Sequence, residues 1–130
     1  MTKNSLWLQA ALIASGLVIG GAGNAAADGL VGDPVKGQEV YERCEGCHSL
    51  DANRVGPKHR GRIGRKAGGV EDYDYSDALK SSGIVWDEVT LDRWLQGPGK
   101  LVPGTKMGFI LKDPKARADV IAFLKRESAK

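Results

Sequence analysis

Two cysteines and a histidine lie within one short run of this chain, Cys44-Glu45-Gly46-Cys47-His48, and the sequence contains no other cysteine. Residues at positions i and i+3 lie about one turn apart on a helix, so each thiol can add to one of the two vinyl groups of a single porphyrin. The adjacent imidazole can then bind the iron of that porphyrin. The C-x-x-C-H spacing therefore predicts a covalently attached haem.

Three other kinds of site use similar residues, and each fits the surrounding sequence less well. A redox-active C-x-x-C dithiol normally opens a helix after a strand in a βαβ unit, whereas the residues before Cys44 favour a helix. A zinc site could add His48 and His59 to the two cysteines, but adjacent ligands suit tetrahedral geometry poorly and the usual second ligand pair is absent. A structural disulfide would leave His48 without a role.

Residues 1–27 have the pattern of a secretory signal peptide. Lys3 precedes an apolar stretch of small residues (6–20), and Ala25-Ala26-Ala27 provides an A-x-A cleavage site. We therefore expect cleavage after residue 27 and a single domain over residues 28–130 in the periplasm. The alternative is an uncleaved segment that anchors the chain in the membrane. With the segment cleaved, no stable membrane insertion is expected.

The charge balance of the chain bears on one class of function, nucleic-acid binding. The net charge is +3 for the whole chain and falls to +2 once Lys3 is removed. This balance gives no support to nucleic-acid binding. The domain is small for a self-sufficient core, and a large ring system at its centre would supply apolar surface. We expect a monomer.

Helix signals recur along the chain between long stretches rich in glycine and proline. Asp33-Pro34 and Asp113-Pro114 each place a capping side chain before a proline that suits the first helical turn. Short helices are also predicted over 77–82 and over 87–96, the second ending at Gly97-Pro98. No pair of strands is indicated. The pattern predicts an all-α domain of three to four helices, with long loops wrapped around one haem.

A six-coordinate haem iron needs a second axial ligand opposite His48. Met107 is the only methionine after residue 27 and lies in the run P-G-T-K-M-G-F. A single methionine on such a polar loop makes poor core filler, which favours a ligand role. His59 follows His48 by only 11 residues. This short tether disfavours the opposite face, so we expect His59 to be a packed or surface residue.

Taken in order, the motifs of the chain resemble those of class I c-type cytochromes, close to mitochondrial cytochrome c and bacterial cytochrome c2. They are C-E-G-C-H, V-G-P, G-R-K-A-G, Y-S-D-A-L-K, G-I-V-W, T-L-D-R-W-L, P-G-T-K-M and R-A-D-V-I-A-F-L-K. The resemblance implies the cytochrome c fold, one covalent haem c and a one-electron carrier rather than an enzyme.

The same resemblance implies roles for individual residues. His48 and Met107 would be the axial ligands of the iron, and Cys44 and Cys47 would form the thioethers. The carbonyl of Pro57 would accept a hydrogen bond from His48. The remaining contacts would be Arg65, Tyr75 and Trp86 at the propionates, Thr105 and Trp94 near the methionine sulfur, and Phe109 over the haem face.

Several positions depart from the family pattern. Trp94 stands where tyrosine is common, which removes the usual hydroxyl near the sulfur, and Leu79 replaces a common asparagine in the haem crevice. His59 and Arg60 follow the G-P motif where leucine and histidine are usual. These changes bear on the reduction potential and on the strength of the bond between methionine and iron.

A basic face is the expected docking site for redox partners. By the same resemblance, the exposed haem edge would be flanked by Arg43, Lys100, Lys106 and Lys112. Such a ring would steer an acidic partner: a bc1-type complex, an oxidase, a reaction centre or a periplasmic dehydrogenase. Two alternatives stay open, a haem subunit of a larger periplasmic dehydrogenase and a five-coordinate gas-binding haem protein.

Overall fold

The computed structural model describes residues 30–130, so the predicted signal peptide at 1–27 lies outside them. This part of the chain is all-α, as predicted, and its only strand-like feature is an isolated antiparallel bridge between Lys66 and Val85. None of its helices is long and apolar enough to cross a membrane. The helices are α1 (Pro34–Tyr41), α2 (Asp77–Lys80), α3 (Glu88–Gln96), α4 (Pro98–Leu101) and α5 (Pro114–Ser128).

Helices α1 and α5 begin where the Asp-Pro pairs predict. The side chain of Asp33 accepts hydrogen bonds from the first-turn N–H groups of α1, and Asp113 does the same for α5. Each proline stands in the first turn, where its missing N–H group costs nothing. α1 ends at Tyr41, earlier than expected, and tighter turns with i to i+3 hydrogen bonds carry the chain on to Cys44.

α4 was not predicted from the sequence. Gly97-Pro98 does end α3, since the Gly97 N–H donates to the Trp94 carbonyl at 3.1 Å. The same glycine then begins the next helix, because its carbonyl accepts from the Leu101 N–H at 3.1 Å. One Gly-Pro pair thus stops one helix and starts another, which makes five short helices where three to four were expected.

The two terminal helices cross in close contact. A Cβ atom on Gly37 would lie 1.9 Å from the Asp119 carbonyl oxygen, so the backbones can approach this closely only at a glycine. The Asp33 N–H also donates to Asp119 Oδ1 at 2.7 Å. Behind this contact, Val120, Phe123 and Leu124 of α5 are buried in the core. The crossing fixes where the residues after α1 enter the core.

The long segment between α1 and α2 is held in place by the chain that follows α2. The Trp86 N–H donates to the Arg65 carbonyl at 2.9 Å, and the Gly64 N–H donates to the Trp86 carbonyl at 2.8 Å. Trp86 is among the most deeply buried side chains. These contacts wrap the loop around a central cavity rather than around a solid core.

Candidate functional site

A cavity of about 400 Å³ opens at the centre of the helices and loops. Its volume lies in the range of cofactor and ligand pockets, roughly 300–1,000 Å³. Its walls include apolar side chains from α2, α3 and α5, and also both cysteines, His48 and Met107. The residues singled out by the C-x-x-C-H spacing and by the methionine loop thus meet at one cavity.

The two cysteines come from the turns that follow α1. Cys44 is half-buried and Cys47 is exposed, and both are free thiols. Burial raises the pKa of Cys44 to about 11, so its thiol is protonated at neutral pH. Both residues line the cavity, one turn apart, as attachment to a single ring requires.

His48 is held in a fixed orientation by the V-G-P segment. Its Nδ1 lies 2.8 Å from the Pro57 carbonyl oxygen, which can only accept, so Nδ1 carries the proton and Nε2 is left as a ligand. A Cβ on Gly56 would lie 2.1 Å from His48 Cε1, so the loop packs directly against the ring. Burial lowers the pKa of His48, partly opposed by the Pro57 carbonyl, which favours the neutral imidazole that a metal needs.

Met107 lies on the loop after α4 and contributes its sulfur to the same cavity. The side chain is half-buried. The indole Nε1 of Trp94, on α3, donates a hydrogen bond to the Met107 sulfur at 3.2 Å. Trp94 is itself buried and packs edge-on against Trp86, with ring centroids 5.3 Å apart. The sulfur is therefore held by a buried side chain that packs against Trp86.

His59 is a packed histidine. Its ring stacks on that of His48 with centroids 4.0 Å apart, which places it beside His48 rather than across the cavity. Burial lowers its pKa well below the usual range, and the positive charge of Arg62 adds to the effect. Within residues 30–130, no group of three or more histidine, cysteine or acidic side chains is arranged to hold a metal ion. The zinc alternative thus finds no ligand set there.

The other predicted contacts divide into those at the cavity and those away from it. The cavity walls include Pro57, Tyr75, Trp86, Thr105 and Phe109. Arg65 is not on these walls, because its guanidinium donates to the carbonyls of Lys58 at 2.7 Å and Arg60 at 3.1 Å. Its predicted contact with a propionate stays a prediction.

Two of the four predicted docking residues lie at the cavity and two lie away from it. Arg43 and Lys106 line the cavity and are exposed, and the Arg43 guanidinium lies 5.8 Å from the centre of the Phe109 ring. Lys106 pairs with Asp74 at 2.8 Å. Lys100 and Lys112 are exposed but do not line the cavity.

Three polar residues on the cavity walls, Arg62, Tyr73 and Ser76, were not predicted from the sequence as site residues. The Tyr73 hydroxyl donates to the Val55 carbonyl at 2.6 Å. Ser76 is explained as the cap of α2, because its hydroxyl oxygen accepts from the Leu79 N–H at 3.1 Å. Arg62 lies in the run Gly61-Arg62-Ile63, where nothing in the spacing marks its direction. The sequence offered one indication that Arg62 could reach the cavity: it lies between two segments of the chain that pack around that cavity.

Comparison with known proteins gives a consistent result. Residues 34–127 match the Cytochrome c family. Cytochrome c2 of Rhodomicrobium vannielii is 46% identical over 121 residues, covering 90% of this chain and 93% of that protein. Cytochrome c of Arabidopsis thaliana is 47% identical over 104 residues, covering 76% and 93%. The structure of cytochrome cH from Methylobacterium extorquens matches with a TM-score of 0.71 and 46% identity, over 73% of this chain and 99% of that one.

The fold and the cavity together define a protein that carries a covalent haem on two cysteines. The chain belongs to the cytochrome c family, class I. It is an electron carrier rather than an enzyme, and its cofactor is haem c. The residues present fit this cofactor: two free thiols, an imidazole with Nε2 available and a thioether sulfur all line one cavity.

Proposed function

We propose that this protein carries single electrons between redox proteins of the periplasm, with His48 and Met107 as the axial ligands of its haem iron. The observation that carries the proposal is the meeting of both side chains with Cys44 and Cys47 at one cavity. When bound, the haem supplies the iron that takes up and gives back one electron.

The protein's own residues hold both ligands in place. The Pro57 carbonyl orients His48 and increases its donor strength through the hydrogen bond at Nδ1. The Trp94 indole holds the Met107 sulfur in place by donating a hydrogen bond to it. If His48 and Met107 both hold the iron as proposed, no position on it would be left open to a small molecule. This arrangement favours electron transfer over gas binding.

The apolar cavity walls favour the reduced state of the haem, which carries less positive charge than the oxidised state. Leu79, Leu91 and Leu95 are buried against the cavity, and such surroundings disfavour additional charge. The oxidised centre carries one more positive charge than the reduced one. Burial therefore acts in the same direction as methionine ligation, which raises the reduction potential.

Export to the periplasm is part of the proposal, with residues 1–27 as a cleaved signal peptide and 28–130 as the domain. The A-x-A site at 25–27 supports cleavage before Asp28. The intact mass of the exported protein tests this, because cleavage gives a chain that begins at Asp28 and carries one haem. A mass that retains residues 1–27 would instead support a membrane anchor.

The docking face is proposed at the mouth of the cavity, around Phe109. Arg43 is exposed there and makes no ion pair within the described residues, so its charge is available to an acidic partner. Lys106 is also at the mouth, although Asp74 neutralises part of its charge. The proposed partner is one of four: a bc1-type complex, an oxidase, a reaction centre or a periplasmic dehydrogenase.

A redox titration of the exported haem protein tests the proposed function. We expect reversible uptake of one electron per chain and no spectral change when carbon monoxide is added to the reduced protein. A carbon monoxide complex formed at once by the wild-type protein would contradict methionine ligation. Stable co-purification with a dehydrogenase at moderate salt would favour a bound haem subunit over a free carrier.

A further inference from the structure

Arg62 turns its side chain into the haem cavity rather than towards solvent. It follows the V-G-P loop in a turn, where its N–H donates to the His59 carbonyl at 3.1 Å. Only 5% of the residue is exposed, and it lines the cavity. The guanidinium carbon lies 4.5 Å from the centre of the Trp86 ring, so the cation stacks on this tryptophan.

The positive charge of Arg62 has no partner among the described residues. No carboxylate of residues 30–130 forms an ion pair with it. The other buried arginine of the described residues, Arg117, has a full set of hydrogen-bond acceptors. Arg117 donates to Asp92 at 2.7 Å and to the carbonyls of Leu111 and Lys112 at 2.9 and 2.8 Å. Arg62 lacks any comparable set.

An uncompensated buried cation is costly, because burial favours the neutral form and only a nearby anion offsets it. Burial lowers the pKa of Arg62 to about 10, and the positive charge of Arg65 adds to this, yet the side chain stays protonated at neutral pH. The groups that oppose the effect are Tyr75, Tyr41 and Cys44. All three are uncharged at neutral pH, so the cavity itself supplies no anion for Arg62.

Haem brings carboxylates of its own, the two propionates. A guanidinium is the side chain best matched to a carboxylate, because its planar fork can donate two parallel hydrogen bonds. Trp86, on which Arg62 stacks, is also a residue that the family resemblance places near the propionates. We propose that Arg62 binds a haem propionate directly and is its ion-pair partner, whereas Arg65 supports the loop through backbone carbonyls. This inference rests on the covalent haem c of the family.

The consequence is measurable in the reduction potential. A cation held near the iron disfavours the oxidised state, so removing it lowers the potential. The propionate that loses its partner should also gain a proton within the accessible pH range. The potential would then fall as the pH rises through that propionate pKa. In the wild-type protein, the ion pair keeps the propionate ionised and this slope is absent.

The test compares reduction potentials from pH 5 to pH 9 for the wild-type protein, Arg62→Met, Arg65→Met and a matched surface variant, Arg93→Met. Arg93 is exposed on α3 and does not line the cavity. We expect Arg62→Met alone to show both a lower potential and a new pH slope. If Arg65→Met gains the slope and Arg62→Met keeps the wild-type profile, Arg65 is the partner and the proposal is overturned.

One neighbouring group needs its own control. Arg62 lowers the pKa of both His48 and His59, so its removal could let His59 titrate. The measurement is therefore repeated in a His59→Leu background, which carries the residue usual in the family. A slope that persists there belongs to the propionate. A slope that disappears with His59 overturns the proposal.

Two further measurements keep the test decisive. If Arg62→Met is not recovered with haem, Arg62→Gln replaces it, because glutamine keeps a polar side chain and removes the charge; a potential and pH profile identical to wild type would overturn the proposal. The far-red absorption band of methionine-bound ferric iron is recorded for every variant. Its retention in Arg62→Met shows that the axial ligands are unaffected, so failure of this inference is distinguishable from failure of the proposed function.

Discussion

At the residue scale, Trp94 shows how a departure from the family pattern can keep a function. The family commonly has tyrosine here, and tryptophan lacks the hydroxyl that usually lies near the methionine sulfur. The structure instead places the indole N–H 3.2 Å from the sulfur of Met107. The tryptophan therefore supplies its own donor to the sulfur, the indole N–H, in place of a tyrosine hydroxyl.

Trp94→Phe should lower the reduction potential. A hydrogen bond to sulfur withdraws electron density and weakens its bond to ferric iron, so losing the donor stabilises the oxidised state. Such a bond is worth about 0.5–1.5 kcal/mol, which corresponds to a shift on the order of tens of millivolts, since a tenfold change is about 59 mV for one electron. Spectroelectrochemistry measures the shift. Trp94→Tyr keeps a donor and should stay near the wild-type potential; equal shifts in both variants would rule out the hydrogen bond as the cause.

Asp119 gives the α1–α5 contact a dependence on pH. Burial acts to raise its pKa, but the Asp33 N–H and the Lys115 ammonium outweigh this, so the pKa lies below the usual 3.8. At pH values between the lowered pKa of Asp119 in the folded protein and the unfolded value of 3.8, the unfolded chain binds more protons than the folded one. The free energy of unfolding therefore falls as the pH falls through this range.

Asp119→Asn should therefore lower the free energy of unfolding at pH 7 by about 1.5–3 kcal/mol, the usual contribution of hydrogen bonds to a charged group. The difference from wild type should narrow as the pH falls below 3.8, where the wild-type carboxylate becomes protonated. Guanidinium denaturation of the haem protein at several pH values measures both free energies. A difference that stays constant with pH would show that charge plays no part.

At the scale of elements, the crossing of α1 and α5 depends on the absence of a side chain at Gly37. A Cβ there would lie 1.9 Å from the Asp119 carbonyl oxygen and 2.8 Å from the Cβ of Phe123. A shift of α5 at this crossing would disturb the cavity wall, because Val120 and Leu124 of α5 line it.

Gly37→Ala should destabilise the haem protein by about 1–3 kcal/mol, the usual cost of overpacking. Gly99→Ala is the matched control, because a Cβ at Gly99 meets nothing within 4 Å. It should be neutral or slightly stabilising, since alanine is favoured over glycine within a helix. The midpoint of guanidinium denaturation compares the two. Equal effects would show that the close approach does not limit the packing.

The sequence predicted elements well where local chemistry decides them. The Asp-Pro starts of α1 and α5 follow from side-chain capping, and the attachment run follows from the spacing of its cysteines. It did not predict α4, because one Gly-Pro pair both ends and begins a helix. Nor did it single out Arg62, because the direction of this guanidinium depends on its stacking against Trp86, a contact between residues distant in the sequence.

At the scale of the whole molecule, the two cations at the cavity mouth differ: Lys106 pairs with Asp74, whereas Arg43 has no ion-pair partner within the described residues. Arg43→Gln should slow oxidation of the reduced protein by ferricyanide at low salt, because a cation at the mouth attracts this anion. The effect should shrink as ionic strength rises, as expected for an exposed charge. Lys106→Gln should have the smaller effect, because Asp74 already pairs with that lysine.

Lys100→Gln is the control, an equal change of charge at an exposed site off the cavity wall. Stopped-flow rates over a series of salt concentrations compare the three variants. If Lys100→Gln slows the reaction as much as Arg43→Gln does, net charge rather than a local docking face controls the encounter.

The absorption spectrum of the exported protein, oxidised and then reduced, tests the central claim most directly: His48 and Met107 together bind the haem iron of an electron carrier. We predict a sharp low-spin spectrum on reduction and a weak far-red band in the oxidised protein, with the band absent from Met107→Ala. A high-spin spectrum that shifts with carbon monoxide would contradict methionine ligation. A protein exported without covalent haem would contradict the account as a whole.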